Sequence, residues 1–466
     1  MWNTINKAIE TFDGWLWGLP LILLIILGGI WLTIRLHGVQ FHKLGLALKY
    51  MVKNEAGGEG EVTSFGALCT ALSATIGTGN IAGTAGALLL GGPGAIFWMW
   101  VSALLGMALK YAEILYAMRF RRRTAGGGFA GGPMCYIERG LPARWHFLAP
   151  AFALCAALAA LGMGNMAQVN TVAESVVTAA RALAGGLSDR AARRIALLTG
   201  VAVALLIGRA VLGGSKRVGR AAALLVPLMS VLYIGGAAVV LLGRAEAVGP
   251  ALLAIVRGAF SPEAALGGAA GITLDQAFRV GVARGVFTHE AGLGTAAIAH
   301  AAADGAAPER QALYGIFEVF LDTVVMCTLT ALVVLVSGVP LDFGSDAAAG
   351  SIVAAAFATR FGGMGASLLL ALLLLLFAFS SMLSFSLYGA QCAAYLFGPR
   401  AVRPYLAAYM GLCVLGAVAP LALAWRVSEV LNMCMALPNL LALVLLSRQQ
   451  TKRPPERSSG GRGAAL

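Results

Sequence analysis

The sequence predicts an all-α polytopic membrane protein of about eleven transmembrane helices, one N-terminal helix followed by an inverted 5+5 repeat. Three observations lead there. The 466 residues are 59% hydrophobic and only 12% charged, too little polar surface to cover a soluble core of that size. Apolar runs such as "LPLILLIILGGIWLTI" and "ASLLLALLLLLFAF" recur along the whole chain, and about 20 such residues cross a hydrocarbon layer roughly 30 Å thick. Finally, two glycine-rich interruptions, "IGTGN" (76–80) and "THEAGLGTA" (288–296), open two successive sets of five spans. An odd number of spans per set turns the second set upside down relative to the first.

The spans are expected near residues 15–34, 62–90, 94–118, 147–180, 192–212, 219–243, 271–299, 312–337, 365–397, 402–420 and 423–446. The first lacks a basic leader and continues to spanning length, which reads as a retained helix and not a cleaved signal. Next, residues 38–55 place Phe41, Leu44, Leu48 and Met51 on one side of a helix and Lys49 and Lys53 on another, the pattern of a helix lying in the membrane interface. With it, residues 1–61 form the N-terminal unit. The first repeat covers 62–243, interrupted by "TAGGGFAGGPMCYIERGL" (124–141), too polar and glycine-rich to span and expected as a structured inner loop. An arginine-bearing outer loop falls at 181–194, the second repeat covers 271–446, and 447–466 reads as a disordered tail.

The net charge of +13 is a matter of topology and not of nucleic-acid binding. With the N-terminus outside and the C-terminus cytoplasmic, the inner segments, led by "RFRRR" (119–123), hold more than twice the Lys and Arg of the outer ones. The seven cysteines are scattered and mostly lie within spans, without metal spacing, so no transition metal is expected. His289-Glu290 begins a zinc-peptidase pattern, but the second histidine it needs would be residue 293, which is Leu. Neither a nucleophile–base pattern nor a complete metal set points to an enzyme, and no cofactor or obligate protein partner is implied.

The first interruption is not a nucleotide loop. Gly77, Gly79 and Gly83 are one residue too widely spaced for the dinucleotide fingerprint, and no G-K-S or G-K-T follows. A G-x-x-x-G packing face explains Gly83 and Gly86, but it leaves Thr75, Thr78, Asn80 and the second interruption unexplained. An unwound segment explains all of them. In hydrocarbon each unpaired backbone group costs several kcal/mol, so a break persists only where it lines a cavity. Its amides suit a carboxylate, and its carbonyls suit an ammonium group or a sodium ion. Paired breaks in two inverted halves are the sequence mark of a transporter's binding site.

"GTGNIAGTAGALLLGGPGAIFWMWVSALLGMALKYAE", with "GGPMCYIERGL", "MGNMAQVNTVAE", "RGVFTHEAGLGTA" and "FAFSSMLSFSLYGAQ", resembles the alanine or glycine:cation symporter family, the bacterial and archaeal sodium:alanine symporters. The resemblance runs from about residue 10 to about 447. It implies a LeuT-type fold in a bacterial or archaeal cell membrane and sodium-coupled uptake of alanine or glycine by alternating access. Position by position it implies that Thr78, Gly79 and Asn80 meet the substrate carboxylate, that Gly292, Leu293, Gly294 and Thr295 line the other side, and that Gln168 and Asn170 add side-chain hydrogen bonds. Phe385 would form part of the wall. Carbonyls near Ala74 and Gly77, with the hydroxyls of Ser380 and Ser381, would hold sodium, a hard ion suited to oxygen ligands.

Departures from the family pattern cluster here. His289 replaces the usual Asn, and Ser384, Phe385 and Ala390 replace parts of Gly-Trp-x-Tyr-Tyr-Gly-Glu. They leave two alternatives open, a larger neutral substrate such as glutamine, or proton coupling through His289, Glu290 or Asp322. Glu290 is expected to pair with the ends of the broken helix or with Arg284, Asp275 with Arg279, and Lys110 with Glu113 one turn away.

Overall fold

The computed structural model describes residues 19–52, 62–123, 128–261, 272–303, 307–345, 349–419 and 422–449. The predicted disordered tail lies, apart from its first three residues, outside the described residues, as do positions 1–18 and 124–127. Helix α1 (Leu19–Arg35) ends where His37 and Gly38 take positive φ, and the chain bends by 79° into α2 (Val39–Val52). On α2, Ala47 packs inward while Phe41 and Leu48 remain exposed.

The first set opens with α3 (Ser64–Thr75), capped by the Thr63 hydroxyl, which accepts the Gly66 N–H at 3.0 Å. It stops at Ile76, whose backbone is extended, and resumes as a π-helical turn (Gly79–Gly83) running into α4 (Thr84–Gly91). Gly92, at φ 67, turns the chain ahead of Pro93 and α5 (Gly94–Phe120). A two-residue hairpin, β1 (Arg122–Arg123) and β2 (Phe129–Ala130), leads into the short α6 (Pro133–Gly140). The next span is α7 (Leu148–Leu161) and α8 (Gln168–Ala184), joined by a π-helical turn at Gly162–Ala167. Helices α9 (Asp189–Val211), α10 (Gly214–Leu242) and α11 (Ala245–Gly258) complete the set.

The second set repeats the opening. Helix α12 (Leu274–His289) stops at Glu290, in left-handed conformation at φ 51, and α13 (Thr295–Ala301) starts beyond Gly292 and Gly294, both at positive φ. Helix α14 (Pro308–Val319) continues through a π-helical stretch (Phe320–Cys327) into α15 (Thr328–Ser337). Helix α16 (Ala349–Phe397) is broken at Gly362 (φ 69), and α17 (Val402–Gly416) and α18 (Ala422–Gln449) close the chain.

By length and apolarity, seven continuous described helices could cross a membrane, or eight with the bent α1–α2 pair. The two broken spans, whose halves are each too short, and the 15-residue α17 fall outside that number. Helix α5 is the spine between the breaks. A Cβ at Gly281 would lie 2.3 Å from the Ala95 carbonyl, and one at Gly285 would lie 2.4 Å from Ser102 Oγ, so α12 seats directly on α5. A Cβ at Gly315 on α14 would lie 2.7 Å from the Ile114 side chain and 3.1 Å from the Lys110 carbonyl of α5. Small residues allow this approach, which apolar lipid alone would not drive.

Candidate functional site: two broken spans and a shared cavity

Asn80 organises the first break. Its Oδ1 accepts the Gly77 N–H at 2.8 Å, folding the side chain back over the unwound residues. Its Nδ2 donates to Asp322 Oδ1 at 2.7 Å and to the Asp322 carbonyl at 3.1 Å, and its own carbonyl accepts from Thr330 Oγ1 at 2.7 Å. Asp322 is fully buried in the π-helical stretch after α14, and its Oδ2 accepts from Thr323 Oγ1 at 2.9 Å. Asn80 thus holds the break open, and its side chain is occupied by protein groups.

The second break is held from α5. Glu113 Oε1 accepts the amides of Gly292 (2.8 Å) and Gly294 (3.2 Å) and Asn439 Nδ2 (2.7 Å). Asn439 also donates to the Gly292 carbonyl at 2.8 Å. Glu290 Oε2 accepts from Thr295 Oγ1 at 2.7 Å, a bond across the break itself. His289 Nδ1 accepts the Ala291 N–H at 3.0 Å, which assigns the ring hydrogen to Nε2, 3.0 Å from Ser102 Oγ. Lys110 does not pair with its helical neighbour Glu113 as the spacing suggested; its Nζ lies 3.7 Å from Glu318 Oε2 on α14. Helical spacing brings two residues near each other, but the adjacent break offers Glu113 better donors. Asp275 and Arg279 do pair, at 2.8 Å.

A cavity of about 610 Å³ reaches the first break. Thr78, Gly79 and Phe287 lie on its lining, with Arg284 on α12 and Glu174 and Thr171 on α8. Its remaining walls come from the π-helical turn and the first half of α4, from Ile81 to Gly86, from the rest of α8, and from two stretches of α16, at its start and from Ser367 to Leu374. Connectivity puts these segments in the half of the molecule away from Arg119–Arg123.

The other expected substrate contacts are placed differently. Asn170 Nδ2 donates to the Gly416 and Ala419 carbonyls at the end of α17. Gln168 is buried, and Leu293 packs in the core. Phe385 lies against the π-helical turn of α7–α8, where a Cβ on Gly164 would sit 2.3 Å from the ring. None of these four lines the cavity.

At the expected sodium position, α16 meets the end of α3. Ser381 Oγ donates to the Ser73 carbonyl at 2.9 Å and would be 3.3 Å from a Cβ at Gly77. Ser380 donates to the Phe377 carbonyl at 2.9 Å and lies 3.4 Å from Met229 Sδ. Ser73 and Ser384 hydroxyls bond each other beside them, and Ser384 also donates to the Thr70 carbonyl at 2.7 Å. Ala74 is buried in the same turn. Ser73 was missed by sequence reasoning; a serine four residues before the first glycine of the break was the available signal.

The model of the sodium:alanine symporter family matches residues 2–454. The chain belongs to the sodium:alanine symporter family. Within it, the sodium/alanine symporter AgcS of Methanococcus maripaludis is 42% identical over 95% of this chain and 94% of its own length. The probable sodium/glutamine symporter GlnT of Bacillus subtilis is 34% identical over 96% and 90%. Among solved structures, MhsT in complex with L-phenylalanine superposes with a TM-score of 0.58 at 13% identity, covering 81% of this chain and 87% of that one. That likeness shows the LeuT-type fold of a multi-pass family member.

Proposed function

We propose that this family member is a carrier and not an enzyme, moving a small neutral amino acid, alanine or glycine, into the cell together with sodium. The observation that carries the reading is the cavity ending on the unwound Thr78–Gly79 and on Phe287, with a cluster of hydroxyls and carbonyls, Ser381, Ser73 and Ala74 among them, behind the same break. The carboxylate is assigned to Thr78 and Gly79, and sodium to the turn between Ala74, Gly77 and Ser381. Ser380, Gln168 and Phe385 belong to the outer ring of the site. Asn80, Asp322, Glu290, Gly292, Gly294 and Thr295 shape the backbone it rests on, and Arg284 stands at the cavity wall.

The basic cluster at 119–123 assigns its end of the bundle to the cytoplasm, with the N-terminus outside a bacterial or archaeal inner membrane. The cavity then faces outward, ready to load. One sodium ion moving down ~100 mV contributes about 2.3 kcal/mol, enough for roughly fifty-fold accumulation of a neutral solute.

The test is uptake of labelled alanine into proteoliposomes under an inward sodium gradient, against potassium at fixed pH. Sodium-dependent accumulation is expected. Uptake that follows an imposed proton gradient instead would replace the coupling ion. A second reading, glutamine as substrate, is favoured by the likeness to GlnT and by Phe385 and Ala390 standing where the family carries bulkier groups; competition of alanine uptake by glutamine separates the two.

A further inference from the structure

We infer that Tyr136 and Asn439 are positioning residues for the second broken span, and that through them the inner loop helix α6 sets the shape of that break. Glu113, Asn439 and Tyr136 are all buried, each with 0% exposure, and they form one unbroken chain. The Tyr136 hydroxyl donates to Asn439 Oδ1. That leaves the Asn439 amide nitrogen facing the break, where it donates to Glu113 Oε1 at 2.7 Å and to the Gly292 carbonyl at 2.8 Å. Glu113 in turn holds the amides of Gly292 and Gly294.

A carboxamide has one accepting and one donating end, and its neighbours decide which way it points. Glu113 and the Gly292 carbonyl are both acceptors, so Asn439 serves them only with its nitrogen toward the break. Tyr136 supplies the hydrogen that pairs the amide's other end, its oxygen, and so anchors the side chain in that orientation. Without it, the buried Asn439 oxygen would be left unpaired and the amide's hold on the break would loosen.

The loop is fitted to the same place by shape. A Cβ on Gly294 would lie 2.4 Å from Pro133 Cγ, and one on Gly132 would lie 2.7 Å from the Ile298 side chain of α13. At the other end of α6, a Cβ on Gly140 would meet Leu446 of α18 at 2.6 Å. The glycine-rich "GGP" turn at one end and Gly140 at the other therefore seat α6 against α13 and α18, with Tyr136 between these two ends. A loop that had only to connect two spans would need neither the close fit nor a buried tyrosine.

The experiment has two arms on Tyr136→Phe, which keeps the ring and removes only the hydroxyl. In the first, hydrogen exchange is followed by mass spectrometry over the segment holding Gly292 and Gly294, with no substrate present. Faster exchange there, with α7 and α10 unchanged, is expected; unaltered exchange at the break would overturn the inference. The second arm rests on the carrier reading and measures sodium-driven alanine uptake by Tyr136→Phe, Glu113→Gln and the double variant. The half-saturation concentration is expected to rise roughly threefold to tenfold in Tyr136→Phe with the maximal rate retained. The double variant should be no worse than Glu113→Gln alone, because the tyrosine acts through that carboxylate. Independent, multiplying losses would overturn the relay. Should the wild type carry no alanine, the functional reading fails, and the exchange arm still decides the role of Tyr136. Should Glu113→Gln not fold, Asn439→Leu replaces it in the cycle.

Discussion

The two breaks are built from the same parts and kept differently. The first is held by Asp322, in the span that follows the second break, and the second by Glu113, in the span that follows the first. Each half of the inverted repeat thus lends a buried carboxylate to the other. At the first break the carboxylate acts through Asn80, and the adjoining Thr78 and Gly79 border the cavity. At the second, Glu113 takes the backbone amides directly, and the Gly292–Thr295 segment is buried. The lesson is that an unwound helix in a membrane can be either a ligand surface or a structural joint. Which one it becomes depends on how many of its backbone groups the protein itself has already paired.

The largest effect expected from disturbing this arrangement comes at the joint. Gly294→Ala forces a side chain into φ 82 and against Pro133, and should abolish uptake and lower folded yield, read by size-exclusion profile and transport. Gly83→Ala is the matched change beside the first break. A Cβ there has nothing within 4 Å, because Gly83 borders the cavity, so folded yield should match that of the wild type. Equal damage from both would erase the distinction between the breaks.

Asp322→Leu comes next. It leaves Asn80 Nδ2 without its carboxylate and should cost about 1–3 kcal/mol of stability by thermal denaturation, with transport falling at least tenfold. Ser381→Ala probes the ion side. The half-saturation concentration for sodium should rise about tenfold, as loss of one charge-bound ligand implies, while detergent stability is kept. The smallest effect belongs to His289→Asn, whose amide can serve both Ala291 N–H and Ser102. Sodium-driven uptake within about twofold of wild type is expected, and its loss would revive a proton relay through the histidine.

The span pattern and both breaks were legible in the sequence because hydropathy and glycine are local signals. A broken span is two helices each too short to cross the membrane, and the sequence joins them. The partners of the breaks were not legible. Glu113 was matched to Lys110 because helical spacing is visible in a sequence, whereas Asn439, 326 residues away, is not. Asn170 looked like a substrate ligand because it is polar within an apolar span, but its direction around the helix sends it to the end of α17. A polar residue in a membrane helix announces that it needs a partner, not which one. Ser380 and Ser381 differ for the same reason, since one step of about 100° separates their directions.

At the inner ends of the two broken spans, Val62 and Ala303 form an isolated parallel backbone bridge. Gln311 adds a side-chain tie, reaching the Ser64 carbonyl at 3.4 Å and His300 Nδ1 at 2.7 Å, while Arg121 holds the Ala301 carbonyl at 3.4 Å and that of Ala303. The entrance of α3 and the exit of α13 are consequently stapled together. The inner ends of the two broken spans are thereby joined across the repeats, and the floor beneath the cavity is a single tied piece and not two independent leaves.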